Sequence, residues 1–433
     1  MPFSSLDTAA VARALSQVSD REDDWVDALF ERIEEVELPP EGEAPGFRVR
    51  REEGLAVRLV RGREAWRASR DGVGSAIFAD ALRQIARSMP IATYPEPMLA
   101  MSPWGKAPEA DEMAEFPLAV GRAVRARHAA FPLKMTMRRH RRWLQVVGPR
   151  LVPAAEREAF YSLAVEASWG RWGTLAVELG DGLAEQVAEV LVERFRARQA
   201  AAPTSGVTSV ALGPGATAVL LHEAVAHALE ADTLGASGKP AAALGVRLGP
   251  EGLDVLDDPA RAPEGVRRAT DDEGQAVLRR WLLRDGIVEQ PLADATWSRA
   301  HEVLLPGAGR RASRHFAPAP RSSHLELAPG TTAEADVRRG GALYAAEASR
   351  GQLDPWSGRF VLELPCGRRG GPAGEPVGGF RLTGTVGDLL GKIAAVGDQP
   401  VAAGAGWCAK GGQKLPVWAS SPSILLEGVE VRA

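Results

Sequence analysis

The segment HEAVAH at positions 222–227 constrains this chain more than any other stretch, because it places two histidines and a glutamate on one predicted helix. Histidines at i and i+4 lie on one helix face and can bind the same metal ion, as in the shorter motif H-E-x-x-H. His222 and His227 lie at i and i+5, about 140° apart on a regular α-helix. A single π-helical turn would absorb the additional residue and bring both imidazoles to one side. Two interpretations are open: a metal site on a locally widened helix, or two hydrogen-bonded histidines on a buried helix.

Composition sets limits for both interpretations. The 433 residues, 45% hydrophobic and 25% charged, are typical of a globular protein with two or three domains. The formal net charge of −4 indicates no polyanionic partner, so no nucleic-acid partner is expected. No apolar run is long enough to span a bilayer and no secretory signal is visible, so no membrane partner is expected. Two cysteines exclude a disulfide scaffold, and we predict a cytoplasmic location.

Turn and linker signals predict an α+β fold with two domains. Residues 1–203 are expected to form an N-terminal α/β layered domain, and residues 204–433 a β-rich domain that contains the HEAVAH helix. In the first half, GFRVRRE and GLAVRLVRG are predicted as separate strands. KMTMRRHRRW at 134–143 is predicted as a strand with an exposed charged face, and Pro90 to Pro108 as an extended loop.

The second half contains several local signals. Thr217 is predicted to cap the HEAVAH helix, and Asp285-Gly286 to form a hairpin turn. GDLLGKIAAVG at 387–397 is predicted as a helix. Cys408 lies in AGWCAKGGQKLPV, which is predicted as a glycine-rich loop before the last strands.

A hydrolytic zinc site needs three protein ligands, an open coordination position and a carboxylate base. HEAVAH supplies two imidazoles and Glu223, so the third ligand must come from elsewhere. Lys410 would favour the thiolate form of Cys408, whereas an inert, half-buried thiol is the alternative. Cys366 has only basic neighbours and is predicted to be structural. The remaining histidines are His128, His140, His301, His315 and His324.

The segment HEAVAHALEAD resembles the HEAVGHGLEGD signature of the TldD/PmbA metalloprotease family, historically labelled modulators of DNA gyrase. Further segments follow the order of that family: DDEG at 271–274, RGGALYAAEASRGQLDPWSGRFVLEL, GDLLGKIAAVGD at 387–398 and GWCAKGGQKLPV at 406–417. The resemblance covers nearly the whole chain, and its specific motifs lie in the second half. It implies a two-domain TldD/PmbA-like fold with the metal site in the C-terminal domain.

The resemblance also implies a zinc-dependent peptidase with one Zn²⁺ per catalytic chain and Glu223 as the general base. Glu230 and Asp232 match acidic positions of the signature. One of them is a candidate for orienting a ligand imidazole, and a solvated helix end is the alternative. The zinc ligands that the resemblance implies are His222, His227 and Cys408.

The family pairs subunits that have the histidine motif with partner subunits that lack it, and its dimers enclose a chamber reached by unfolded chains. The resemblance therefore implies a catalytic subunit, in a homodimer or in a heterodimer with a motif-lacking paralogue. Three family glycines are Ala226, Ala228 and Ala231 here, which narrows the space around the helix. PRSSHLELAPG replaces an asparagine-bearing segment of the family, so a substrate role for His324 stays open.

Two classes of function follow. The first is a zinc peptidase that hydrolyses peptide bonds in unfolded or extended polypeptides and peptide precursors by means of a metal-activated water. A variant of it is an amide hydrolase that acts on a small molecule or a modified peptide. The second is a non-catalytic partner subunit of a TldD/TldE-like complex that keeps the motif as a relic. The joint presence of two histidines, a glutamate and a cysteine favours the first class.

Overall fold

The computed structural model describes residues 2–18, 21–40, 46–86, 101–104, 111–128, 133–236, 240–354 and 356–433. The chain has the predicted α+β fold and is rich in strands. The predicted loop from Pro90 to Pro108 lies mostly outside the described residues. Within them, no helix has both the length and the apolar character that crossing a bilayer requires.

Six of the described strands in the first half form an antiparallel sheet in the order β3-β2-β1-β4-β5-β6. The strands are β1 Trp25–Leu38, β2 Arg48–Arg61, β3 Glu64–Asp71, β4 Leu133–Val147, β5 Ala154–Ala167 and β6 Gly170–Ala176. The helices of this half are α1 Thr8–Ser16, α2 Ser75–Ala86, α3 Asp111–Arg127 and α4 Asp181–Ala197. Two apolar clusters join helices to the sheet, one beneath α1 and α2 and one beneath α3 and α4.

Two predictions for this half are wrong, and one strand was missed. GFRVRRE and GLAVRLVRG do not form separate strands but belong to the single strand β2. Gly54 between them makes no turn: a Cβ there would lie 2.3 Å from the carbonyl oxygen of Arg70, so the residue allows a close approach within the sheet. Strand β5 was not predicted. The arginines of β4 do not form an exposed charged face, since Arg139 and Arg142 are buried.

The second half contains the remaining described elements. Its strands are β7 Gly206–Leu212, β8 Val255–Asp257, β9 Arg280–Arg284, β10 Ile287–Val288, β11 Gly309–Arg310, β12 Ala319–Pro320, β13 His324–Leu327, β14 Leu343–Ala345, β15 Arg350–Leu353, β16 Arg359–Leu364, β17 Gly367–Arg369, β18 Pro376–Val377, β19 Phe380–Thr385, β20 Ile393–Val396, β21 Val401–Lys410, β22 Gln413–Ser421 and β23 Ile424–Arg432. Its α-helices are α5 Pro214–Leu221, α6 Ala231–Ala236, α7 Ala295–Ala300, α8 Glu334–Gly340 and α9 Val386–Leu390. Short 3₁₀ turns are His227–Leu229, Pro240–Ala243, Pro259–Arg261 and Glu264–Val266.

These strands form two larger sheets, and β11 pairs with β12 alone. One sheet has the order β10-β9-β8-β13-β22-β21. The other has the order β15-β16-β19-β23-β7-β14-β17-β18, with β20 paired to β23. The predicted Asp285-Gly286 hairpin is confirmed, because both residues have the positive φ that a two-residue hairpin turn of type I′ requires.

Helix α5 and the HEAVAH segment lie in the apolar core of this half. Leu220, Leu221, Ala224 and Val225 are buried, and they pack in one cluster with residues from both larger sheets, such as Leu325. A helix that is apolar on all sides is stable only where it is covered on all sides. The core therefore fixes the helix that presents the two histidines.

Three predictions for this half also need correction. Thr217 does not cap α5, which begins at Pro214 after Gly213; the Thr217 hydroxyl donates to Leu212 O inside the first turn. The predicted helix at 387–397 ends at Leu390 and continues as β20. The predicted loop around Cys408 is the hairpin β21–β22, with its turn at Gly411-Gly412.

A group of buried ion pairs joins the first sheet to the loop that contains DDEG. We call it the ionic seam, and it consists of Asp27, Arg58, Arg142, Glu158, Arg268, Asp272, Glu273 and Arg311. Arg58 Nη1 lies 2.5 Å from Glu273 Oε1, and Arg142 Nη1 lies 3.1 Å from Asp272 Oδ1. Sequence reasoning found the DDEG segment by resemblance only and missed this contact between the two halves. The domain boundary at 203/204 stays a prediction.

Candidate metal centre

The HEAVAH segment forms a π-helical turn, as the first of the two open interpretations requires. Helix α5 ends at Leu221, and residues His222–Ala226 follow as a π-helical turn. The backbone N–H of His227 donates to His222 O, five residues back. The widened turn brings the two imidazoles together, with ring centroids 4.6 Å apart. The i, i+5 spacing thus has the effect that i, i+4 has on a regular α-helix.

Cys408 lies opposite these imidazoles. It is buried on β21, and its Sγ is 3.3 Å from His227 Nε2. One ligand atom from each of His222, His227 and Cys408 lies within 4.8 Å of the others. Two atoms bound tetrahedrally to one zinc ion are about 3.5 Å apart, so the spacing of the thiol and the imidazole suits a shared ion.

An unpaired buried nitrogen provides a second test of fit. His222 Nε2 is buried and has no hydrogen-bond partner among the described residues. Burial and the neighbouring His227 lower the pKa of His222 to about 3, so its imidazole is neutral. A neutral imidazole with a free nitrogen is the form that binds a metal ion. The donor set of two imidazoles and one thiol therefore fits a metal such as zinc.

Glu230 lies directly behind His227. It is fully buried, and its Oε2 is 2.9 Å from His227 Nδ1. Burial alone would raise the pKa of Glu230, but His227, together with the cations Arg321 and Lys410, lowers it to about 2. A carboxylate in this position fixes the orientation of a ligand imidazole. A solvated helix end, the alternative for this residue, does not describe Glu230.

Lys410 holds this carboxylate in place, and sequence reasoning missed that contact. Its Nζ lies 2.5 Å from Glu230 Oε2 and 2.9 Å from Asp232 Oδ1. Asp232 is half-buried and contacts Lys410 rather than a ligand imidazole. A strand assignment for β21 would have indicated the role of Lys410, because residues i and i+2 share one face of a strand. Cys408 and Lys410 therefore point towards the same helix.

Glu223 lies beside His222 and lines a cavity of about 350 Å³. Burial raises the pKa of its carboxyl group. No hydrogen-bond partner for the carboxylate exists among the described residues. A Cβ at Gly351 would lie 2.3 Å from Glu223 Cγ, so the glycine leaves the space that Glu223 occupies. The methylene groups of Glu223 are therefore packed against Gly351, and its carboxylate oxygens have no protein partner among the described residues.

Three sheet edges meet at this cavity. Strands β6, β15 and β21 are each the edge strand at one end of their sheet, and residues of all three line the cavity. Trp407 of β21 lines it too and packs edge-to-face on Phe160, with centroids 5.7 Å apart. Trp407 therefore both lines the cavity and packs against the first sheet.

The other predicted candidates lie away from the centre. Among the described residues, no second group of three or more His, Cys, Asp or Glu side chains is close enough to hold a metal ion. His324 contacts Ser420 and Glu326 instead, and burial raises the pKa of the Cys366 thiol to about 11. The remaining histidines also have other contacts: His128 with Phe195, His140 with Glu35 and Ser162, His301 with Arg63, and His315 with Asp71.

The three alanines that replace family glycines do not narrow the cavity. Ala226 and Ala231 are fully buried, and Ala228 packs against the apolar core. None of the three lines the cavity beside Glu223. Their methyl groups fill space between the helix and the core, where alanine also favours helical backbone.

Comparison with known proteins places this geometry in a family. The PmbA/TldA metallopeptidase C-terminal domain matches residues 205–433, which is more than half of the 433-residue chain. A metalloprotease TldD homolog of Buchnera aphidicola (Acyrthosiphon pisum) is 31% identical over 234 residues, 52% of this chain and 48% of that protein. A metalloprotease TldD homolog of Haemophilus influenzae is 31% identical over 280 residues, 61% of this chain and 57% of that protein.

The fold likeness extends further than the sequence likeness. The crystal structure of TldE from Thermococcus kodakarensis matches with a TM-score of 0.73 and 16% identity, over 98% of this chain and 99% of that chain. The matches to the curated relatives span about half of their length. From the domain match, the relatives and the shared architecture together, we conclude that the chain belongs to the PmbA/TldD metallopeptidase family.

Proposed function

We propose that the protein is a zinc-dependent peptidase that hydrolyses extended polypeptides. The observation that carries the proposal is the convergence of three potential ligands beside a free carboxylate. His222, His227 and Cys408 lie together, and Glu223 faces the adjoining cavity. The names of the relatives, metalloprotease TldD homologs, support a metal-dependent protease.

Three residues would hold one metal ion per chain. Two imidazoles and one thiolate form a borderline-soft donor set that suits zinc, and three protein ligands leave one position open. A zinc ion held there supplies Lewis acidity, which activates water and polarises a substrate carbonyl. The proposed ligands are His222, His227 and Cys408.

Glu223 is the proposed general base. Its carboxylate faces the cavity next to His222 and has no partner among the described residues, so it is free to accept a proton from water. Burial raises its pKa towards the range in which a carboxylate both takes up and returns a proton. The same group can then deliver that proton to the amine that leaves from the cleaved peptide bond.

The sheet edges at the cavity support an extended peptide as the substrate. Strands β15 and β21 carry backbone N–H and C=O groups on their free sides. A peptide that adds as a strand to such an edge is held by backbone hydrogen bonds, which accept many sequences. A small-molecule amide would use none of these groups, so the peptide is the favoured substrate.

We further infer that this chain is the catalytic subunit of a dimer. It contains the histidine motif, and the hairpin β21–β22 places Cys408 beside both histidines. A subunit that had lost catalysis would not need this arrangement of three potential ligands. The fold likeness to TldE supports assembly with a motif-lacking paralogue, and a homodimer is the other arrangement. The cytoplasmic location stays a prediction.

The test combines metal content with hydrolysis. We expect about one zinc per wild-type chain, loss of zinc in Cys408→Ser, and retention of zinc in Glu223→Gln. Hydrolysis of casein or a leader peptide should stop with a chelator and fall at least about a hundredfold in Glu223→Gln. The assays are run on the chain alone and with a motif-lacking paralogue. Hydrolysis that ignores the chelator and survives Glu223→Gln would overturn the proposal.

A further inference from the structure

The cavity beside Glu223 continues into a second cleft of about 560 Å³. Trp172 and Ser349 line both the cavity and the passage that follows it. Ser349 and Arg194 line the passage as well as the second cleft. We call this second cleft the outer cleft, and the residues that define it here are Trp169, Arg171, Arg194, Arg198 and Ser349.

Two buried hydrogen-bond donors of the outer cleft have no acceptor. Arg194 is only 7% exposed, yet its Nε has no partner among the described residues. The indole Nε1 of Trp169 is also buried without a partner. An unsatisfied buried donor destabilises a fold, and more so when it is charged. Arg268 and Arg311 of the ionic seam also have an unpaired Nε. Arg194 and Trp169 differ in that both line a cleft, where a ligand can supply acceptors.

The charge of the outer cleft indicates that this ligand is an anion. Arg194 Nη2 lies 3.2 Å from Glu347 Oε2, which pairs with one of its donors. Arg171 is paired with Glu166 at the surface. Arg198 donates to Ser168 O and has no carboxylate partner among the described residues. The arginines therefore exceed the acidic groups available to neutralise them.

The outer cleft lies a short distance from the proposed base. Gly351 packs against Glu223, and Ser349 reaches the outer cleft two residues earlier in the chain. Two residues of extended chain span about 7 Å. A peptide that runs along this segment from the cavity would place the second or third residue from its cleaved bond in the outer cleft.

We propose that the outer cleft binds a carboxylate of the substrate, two or three residues from the bond that is cleaved. This inference rests on the proposed peptidase function. Arginine presents several N–H donors in one plane and pairs with carboxylates through more than one hydrogen bond. The carboxylate belongs either to the C-terminus of the peptide or to an Asp or Glu side chain, and both have the same chemistry.

Binding to the full-length Glu223→Gln chain tests the proposal without hydrolysis. Four short peptides of otherwise neutral sequence are compared by calorimetry. They combine a glutamate or a glutamine at one position, the third from the scissile bond, with a free or an amidated C-terminus. We expect at least one carboxylate to tighten binding about tenfold, the order of one charge-assisted hydrogen bond. The glutamate and C-terminus arms identify which carboxylate is bound.

Variants of the outer cleft then locate the effect. Trp169→Phe removes one donor but keeps an aromatic ring, and Arg198→Gln removes a charge at an exposed site. Each should reduce the tenfold preference to about threefold or less. The matched control is Arg196→Gln, which changes an exposed arginine in the last turn of α4 that pairs with Glu193 and should leave the preference unchanged.

The outcomes separate this inference from the proposed function. Equal binding of all four peptides, no binding of any, or a preference that survives both cleft variants would overturn the inference. A chain that shows the preference but never hydrolyses peptides would instead overturn the peptidase proposal and leave the carboxylate site standing.

Discussion

The ionic seam and the candidate metal centre both bury charged groups, but they use them differently. In the seam, Asp272 Oδ1 accepts from Arg142 and Arg268, and Oδ2 accepts from the backbone N–H of Arg311. The carboxylate is thus saturated by protein. In the metal centre, His222 Nε2 has no partner among the described residues and the Glu223 carboxylate faces a cavity. Burial of charge alone therefore does not identify a functional site, whereas unpaired groups beside a cavity do.

The two regions are similar in the residues that contact the ligand side chains from behind, because these residues are also buried charges paired with other protein groups. Glu230 is as buried as Asp272 and is likewise held by cations, with Lys410 at 2.5 Å. The metal centre therefore combines free ligand atoms with a supporting carboxylate, Glu230, that is buried and ion-paired as the acids of the ionic seam are. This comparison predicts that seam variants lose stability, variants behind the ligands lose metal affinity, and a cysteine outside both regions has little effect on either.

The largest effect is expected from Asp272→Asn. The substitution leaves Arg142 and Arg268 buried without their shared countercharge, and breaking one side of a buried ion pair destabilises by about 3–5 kcal/mol. Urea unfolding measures this loss, while the zinc content of the folded chain should stay unchanged. The control is Asp336→Asn at an exposed pair with Arg339, which should cost less than about 1 kcal/mol. A loss of zinc without a loss of stability would break the comparison.

Acid should remove the same stabilisation gradually. Burial by itself raises the pKa of Asp272, but Arg142 and Arg268 outweigh it, and the pKa lies well below the ordinary value of about 3.9. A lowered folded-state pKa gives stability that is present above the unfolded pKa and lost as the pH falls through the folded one. The difference in unfolding free energy between wild type and Asp272→Asn should therefore be constant above about pH 5 and shrink below about pH 4.

Neighbouring acids titrate in both proteins of this pair, so contributions that are the same in both cancel in the difference. Burial and Glu273, for example, raise the pKa of Asp271 well above its usual value. Asp271 therefore changes the unfolding free energy with pH in the direction opposite to Asp272. A difference that grows as the pH falls would contradict the assignment of Asp272 to the seam.

Lys410→Gln is expected to have a smaller effect, on metal affinity. It removes the cation that holds Glu230 against His227, and loss of such support weakens metal binding by about 10–100-fold. Competition with a chromophoric zinc chelator measures the dissociation constant. Lys392→Gln, which lies on the turn before β20, is the matched control. Unchanged zinc affinity in Lys410→Gln would show that Glu230 is held without this lysine, with Arg321 as the remaining cation.

The smallest effect is expected from Cys366→Ser. Burial raises the pKa of this thiol to about 11, and the residue takes no part in the metal centre or the ionic seam. Zinc content should stay at the wild-type value, and the unfolding free energy should change by about 1 kcal/mol or less. Loss of zinc here, with retention in Cys408→Ser, would reverse the assignment of the two cysteines.

Local sequence was sufficient for only part of the candidate site. The i, i+5 spacing of His222 and His227 left two interpretations open, a widened turn with a shared metal site or two separate histidines on a regular helix. The structure has the widened turn. Local sequence was not sufficient for Lys410, since Gly411-Gly412 indicated a loop where the chain forms a tight hairpin. Once the segment is a strand, the shared face of Cys408 and Lys410 follows at once.

Contacts between distant segments could not be predicted from one sequence. Arg58 and Glu273 are 215 residues apart in the chain, and nothing in either segment indicates the other. Gly54 shows the same limit: it resembles a turn signal, but it is a glycine because the carbonyl of Arg70 approaches it inside a sheet. The outer cleft, too, is formed by α4, β6 and the segment before β15, and no single stretch of sequence predicted it.

The sequence by itself determined the fold class, the two alternatives for the HEAVAH helix and the chemical types of the proposed ligands. Those properties depend on residues that are close in the chain or on the identity of single side chains. Only the tertiary structure decided which charges are saturated and which atoms stay free, because burial and partners depend on segments that meet after folding. A carboxylate is structural when protein donors occupy both of its oxygens, as at Asp272. It is available for binding when it faces a cavity, as at Glu223.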